Sequence, residues 1–169
     1  DGIANNDSVT TASISGVTSL DVNNQNIADL EGIEDFLGIT FLECQENQII
    51  SLNVSTLSLL QTFYCFDNQL SILDVSSNLD LENLHCYENQ ITNIDLSQNT
   101  QLYDLQLGEN QLASLDITNN LNLWRLLCND NQLNSLDVTN NTQLQILRCQ
   151  GNNLSTLNTS NCTQLDYLD

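Results

Sequence analysis

Apolar residues in this chain fall into columns rather than runs. One unit reads Leu102-Tyr103-Asp104-Leu105-Gln106-Leu107-Gly108-Glu109-Asn110-Gln111-Leu112-Ala113-Ser114-Leu115-Asp116-Ile117, and its pattern returns every 21 residues. Leu42, Phe63, Leu84, Leu105, Leu126, Leu147 and Leu168 form one column. Ile49, Leu70, Ile91, Leu112, Leu133 and Leu154 form a second, and Leu52, Leu73, Ile94, Leu115, Leu136 and Leu157 a third. Val54, Val75, Leu96, Ile117 and Val138 form a fourth, which passes to Thr159 at the end. A fixed period in this range is the mark of a solenoid, in which each coil buries its apolar face against its neighbours. Within a coil, Leu-x-Leu or Leu-x-Cys alternates at period two, which predicts a short strand with one apolar face. Each strand is expected to pair in parallel with the same strand of the next coil, ~4.8 Å away. At 21 residues the return path is too short for a regular helix. It is expected to be extended or turn-like, with room for a second short strand at Leu115-Asp116-Ile117.

The same register explains most of the cysteines. Cys44, Cys65, Cys86, Cys128 and Cys149 share one column, with Leu107 filling the gap. A position that takes Cys or Leu is a core position, where cysteine acts as a small hydrophobe. Stacked side chains point the same way and hold Cβ atoms about 4.8 Å apart, wider than the ~3.8 Å a disulfide prefers, so free thiols are expected. Cys162 stands off this ladder with no obvious partner. Asn47, Asn68, Asn89, Asn110, Asn131 and Asn152 form a polar ladder just past the strand. The chain turns inward there and strands backbone groups away from water. Asn has two donors and an acceptor, enough to satisfy groups in its own coil and the next. A second ladder, Asn78, Asn99, Asn120 and Asn141, is expected to do the same at the opposite corner; Leu57 and Cys162 occupy its two ends.

The pattern Leu-x-x-Leu-x-Leu/Cys-x-x-Asn-x-Leu resembles the signature of leucine-rich-repeat proteins, over about 150 residues. The variant Leu-x-Cys-x-x-Asn-Gln-Leu-x-x-Leu-Asp-Val-Ser is similar to repeats of large secreted or surface proteins of Bacteroidetes. The opening coil, Val17 to Phe36, is one residue longer than its successors and resembles the entry of internalin-like domains. The resemblance implies a leucine-rich-repeat solenoid: a right-handed superhelix with one parallel β-sheet on its concave face, 21-residue coils, an extended or turn-like convex side and little helix. Residues 1–16 are expected to be a partial N-terminal cap and 17–169 a repeat domain of about seven coils. The last segment, Leu165 to Asp169, opens a new strand without a polar cap, so a fragment of a longer chain is expected. The same resemblance implies an extracellular or cell-surface location.

Composition narrows the partners. Asp and Glu total 22 against two Arg, a formal net charge of −20. Such a surface repels nucleic acid and anionic membranes and attracts cations or basic partners, unless it serves solvation alone. No run of 18 apolar residues is present, so membrane insertion is not expected.

With the core fixed by the repeat, information lies in the strand positions that face outward. In order these are Phe41, Glu43, Gln45; Thr62, Tyr64, Phe66; Asn83, His85, Tyr87; Asp104, Gln106, Gly108; Arg125, Leu127, Asn129; Ile146, Arg148, Gln150; then Tyr167 and Asp169. The set holds both arginines, the only histidine and five of the nine aromatics, whereas the convex side reads as almost all Ser, Thr, Asn, Asp and Gln. Exposed rings and Arg supply contact area and directional hydrogen bonds at binding surfaces. Phe41, Tyr64, Phe66, His85 and Tyr87 form an aromatic patch. Arg125, Leu127, Ile146 and Arg148, with Asp104 beside them, form a basic-apolar one, and Tyr103 and Trp124 sit on a rim. The competing reading is sheet chemistry. Cross-strand pairs such as Tyr64 with His85 stabilise sheets, and the arginines could only offset Asp104, Glu109 or Asp130.

Two further chemistries are weaker. Asp74, Asp95, Asp116 and Asp137 stack in one column that could hold calcium. The competing reading is that each carboxylate bonds the backbone two residues on and shapes a turn. Catalysis lacks a nucleophile, base and orienter in neighbouring columns, and neither cofactor nor enzyme activity is expected. The leading expectation is a module that binds a protein by its concave face. A glycan ligand stacking on the aromatic patch and a rigid acidic spacer are the alternatives.

Overall fold

The computed structural model describes residues 14–169. The expected cap falls almost wholly on residues 1–13, outside the described residues. Eight short strands form one sheet in sequence order: β1 (Ser19–Asp21), β2 (Phe41–Glu43), β3 (Thr62–Tyr64), β4 (Asn83–His85), β5 (Asp104–Gln106), β6 (Arg125–Leu127), β7 (Ile146–Arg148) and β8 (Tyr167–Leu168). Every neighbour is parallel and in register: Leu42 lies beside Phe63, Leu84 beside Leu105, and Leu126 beside Leu147. The extra residue of the first coil shows in Leu20 pairing with Leu42. That coil also holds a 3₁₀ turn, Ile33–Asp35, entered through Gly32 in the left-handed region at φ 93°.

The columns read from the sequence are the core. The strand leucines from Leu42 to Leu147, with Phe63 among them, are fully buried. So are Ile49, Leu70, Ile91, Leu112 and Leu133 in the second column. All six cysteines are buried free thiols. Burial pushes Cys44 up to about 12, and burial followed by the Cys149 neighbour does the same for Cys128. Cysteine at this depth is inert packing rather than a nucleophile.

Each strand-side asparagine ties two coils together. Asn110 donates to Cys86 O, Leu107 O and Gly108 O at 3.0–3.2 Å and accepts from Ile91 N–H at 2.9 Å. Asn68, Asn89, Asn131 and Asn152 repeat the pattern. At the N-terminal end, Asn47 Oδ1 accepts from both Gln25 and Ile27 N–H. The opposite ladder departs from expectation. Asn99 donates to Val75 O and Asn78 O, both in the preceding coil, but its buried Oδ1 has no protein partner, and Asn78, Asn120 and Asn141 behave alike. The chain there offers carbonyls inward but no spare N–H. Cys162 closes this ladder, its thiol donating to Val138 O at 3.4 Å.

The second strand considered at 115–117 does not form. Its polar groups are already taken. Thr118 N–H donates to Asp116 Oδ1, and Ile117 O accepts from Asn120 N–H and Asn141 Nδ2. The convex side is also less uniformly polar than its sequence suggests. Leu37, Ile50, Leu59, Ile72, Leu79 and Leu121 lie outside the strands and are exposed. They occur singly between core columns, as scattered surface aliphatics ordinarily do.

Candidate functional site

The strand positions assemble the odd residues on one face. Phe41 meets Tyr64 edge-on at 5.7 Å, and Tyr64 stacks on His85 at 4.3 Å. One column further along the chain, Phe66 stacks on Tyr87 at 4.3 Å with the rings 10° from parallel. In the two stacked pairs the rings lie within 11° of parallel, so each ring covers one face of its neighbour. Burial, then the charges of nearby acids, raises the phenols of Tyr64 and Tyr87, so both remain donors at neutral pH.

Asp104 is the hub of the central strands. Arg125 grips it with Nε and Nη2, His85 Nε2 lies 3.0 Å from its Oδ2, and Gln106 Nε2 donates to its Oδ1 at 3.3 Å. Burial opposes ionisation of Asp104, but the hydrogen bonds from Arg125 and His85 outweigh it and hold the carboxyl well below the usual range. The pairing weighed from sequence for Arg125 is therefore present. Arg125 also lies 5.7 Å from the Trp124 ring centroid. Arg148 is exposed and rests over the Tyr167 ring at 5.1 Å. Leu127 and Ile146 are half-buried beside it. Tyr103 and Trp124 stack on the rim at 5.5 Å, along a groove of about 530 Å³ lined by Glu82, Gln101, Asn122, Gln143 and Gln145. Apart from Phe63 in the core and Phe36 packed half-buried against it, every aromatic ring thus lies on or beside the sheet, together with both arginines and the histidine.

The convex aspartates are occupied locally. Oδ1 of Asp74, Asp95, Asp116 and Asp137 accepts the N–H two residues on, at 2.9–3.0 Å. These bonds, with those from the Ser or Thr hydroxyl, hold all four carboxyls below their ordinary value. Among the described residues no three His, Cys, Asp or Glu side chains gather as a metal site would require.

One column escaped the sequence reading. Glu46, Asp67, Glu88, Glu109 and Asp130 all adopt left-handed backbone, φ 50–56°, at the strand exit, and Gly151 continues the column at φ 67°. The acids are visible in the sequence at the 21-residue period. Gly or Asn is the usual sign of that conformation, and it stands only at the two ends of the column, at Gly151 and at Asn24. The acids line the edge of the face with stacked negative charge.

No protein-family model matches the chain, and no curated protein matches it in sequence. Solved structures do. An internalin (InlF) of Listeria monocytogenes superposes with a TM-score of 0.88 at 23% identity, over 94% of this chain and 49% of that one. The functional domain of InlJ from the same organism, described as including a cysteine ladder, gives 0.56 at 29% identity, over 95% and 45%. Internalin C2, also from Listeria monocytogenes, gives 0.74 at 24% identity, over 95% and 84%. The chain spans about half the length of the first two. Among the described residues no helix is long and apolar enough to cross a membrane.

Proposed function

Starting from the premise that this chain is a leucine-rich-repeat solenoid, we propose that it is a non-catalytic recognition module of a secreted or cell-surface bacterial protein. It engages a protein partner through the concave, strand-lined face. The observation that carries this reading is the sorting of the rings outside the core, the histidine and both arginines onto that face or its rim. A spacer has no use for such sorting. The likeness to internalins supports the architecture; the ligand is a matter of surface residues, since one fold serves many partners.

The contact surface proposed comprises Phe41, Tyr64, Phe66, His85, Tyr87, Asp104, Arg125, Leu127, Ile146 and Arg148. Asp104 and Arg125 satisfy each other, so they shape the centre. Arg148 and the exposed ring edges are freer to meet a partner. The test replaces Tyr64, Phe66 and Tyr87 together with Ser. Affinity for a protein captured by the wild-type domain is expected to fall at least about tenfold, the scale of a lost hot spot, in a chain that still melts cooperatively. Unchanged affinity rejects the aromatic surface. A glycan reading draws on the rim groove, where stacked Tyr103 and Trp124 are framed by amides. Glycan-array binding abolished by Trp124→Ala and unaffected by the Ser variants would favour it.

A further inference from the structure

The Phe66–Tyr87 stack stops where the sequence has no side chain to continue it. Phe66 covers one face of Tyr87 at 4.3 Å, and the next position along that ladder is Gly108. A notch of about 160 Å³ opens between Tyr87 and Asn129, over Gly108, with Leu127 and Gln106 on its strand side. Asn129 leans over Gly108, its Oδ1 2.8 Å from where a Cβ there would stand, so the notch lies between that amide and the face of Tyr87 that Phe66 leaves uncovered. The sheet shows no other interrupted stack of this kind among the described residues.

The walls decide the charge of that layer. Glu88 and Glu109 line the notch, both on the left-handed turn that follows their strands. Among the described residues neither is in an ion pair, since the two ion pairs present both belong to Asp104. Burial and then the neighbouring carboxylates Glu109, Asp67 and Glu46 push the Glu88 carboxyl above its ordinary value, the mark of negative charge without a counter-charge. A ring face with carboxylates at its edge suits a flat cation with N–H donors in its own plane. Guanidinium has that shape, whereas ammonium is a compact point charge that cannot fill a slot.

We propose that the notch over Gly108 is a socket for an arginine side chain of the partner protein, its guanidinium stacked on Tyr87 and paired with Glu88 and Glu109. This rests on the reading of the strand face as the partner surface and goes further in naming one anchoring residue type. It also gives a use to the high negative charge of the chain on this side.

The test fills the socket from within. Gly108→Tyr continues the ladder, and its Cβ would stand 2.8 Å from Asn129 Oδ1, so the Asn129 side chain must swing aside to admit it. The backbone at Gly108 is not left-handed, so it adds no strain of its own to the substitution. The probe is argininamide, followed by NMR shifts of the Gly108 amide and the Tyr87 ring in the intact domain, with lysinamide and methyl β-glucoside as comparisons. Saturable shifts confined to the notch are expected with argininamide. They should be roughly tenfold weaker with lysinamide, absent with the glucoside, and lost in Gly108→Tyr. Glu88→Gln with Glu109→Gln, which leaves the notch open, should weaken them similarly and serves if the tyrosine variant fails to fold. Equal shifts from both amides, shifts that survive in Gly108→Tyr, or glucoside shifts in place of argininamide would each overturn the socket. Loss of a captured partner in the Tyr64, Phe66 and Tyr87 variant but not in Gly108→Tyr would sink the socket and leave the wider surface standing.

Discussion

Asp104 shows how one residue can organise the face without being free to bind. Its carboxylate holds Arg125 by two bonds and His85 by one, and all three lie on neighbouring strands. In Asp104→Asn the amide cannot accept a guanidinium fork, and Arg125 loses its counter-charge. The expected cost is about 2 kcal/mol near neutral pH, the scale of a hydrogen bond to a charged group. Because the folded carboxyl titrates below its unfolded value, this stabilisation is complete above pH ~4 and fades as pH falls further, toward the folded value. Urea midpoints of the two chains should therefore converge in acid. A difference that grows below pH 4 would show that the carboxylate is not held by its neighbours. The Arg125–Asp104 pairing was among the possibilities the sequence offered. The bare face of Tyr87 was not, because it depends on Gly108 following two rings in one ladder and on Asn129 leaning across it.

At the scale of the coil, the two asparagine ladders look alike in sequence and differ in structure. Asn110 is the sole acceptor shown for the buried Ile91 N–H. Asn99 only donates, and the carbonyls it reaches keep other partners, Asn78 N–H on Val75 O and Leu81 N–H on Asn78 O. Asn110→Ala orphans a buried donor and should cost about 3 kcal/mol. Asn99→Leu should cost clearly less, since Leu57 already fills that column fully buried. Denaturant unfolding of the two variants ranks them, and the reverse order would refute the distinction. The strands were legible because their period of two sits inside a period of 21, so one residue of slip would expose every leucine. The absent convex strand was not legible. Its alternation matches a strand, but Asp116 and the neighbouring asparagines take the backbone groups that a second ladder would need.

Over the whole molecule, stability and recognition use opposite sides of the same strands. Inward positions repeat because each must fit the coil above and below it. Outward positions are free to differ, and there the rings and arginines collect. Both consequences follow from the 21-residue register, and the cysteines report on it most directly. Native protein treated with a maleimide and read by mass spectrometry should show Cys44, Cys65, Cys86, Cys128 and Cys149 unlabelled and uncrosslinked, with labelling appearing only as the chain unfolds in denaturant. Rapid modification of those five thiols in the folded protein would place the column in solvent, and with it would go the assignment of the opposite set of side chains to a single binding face.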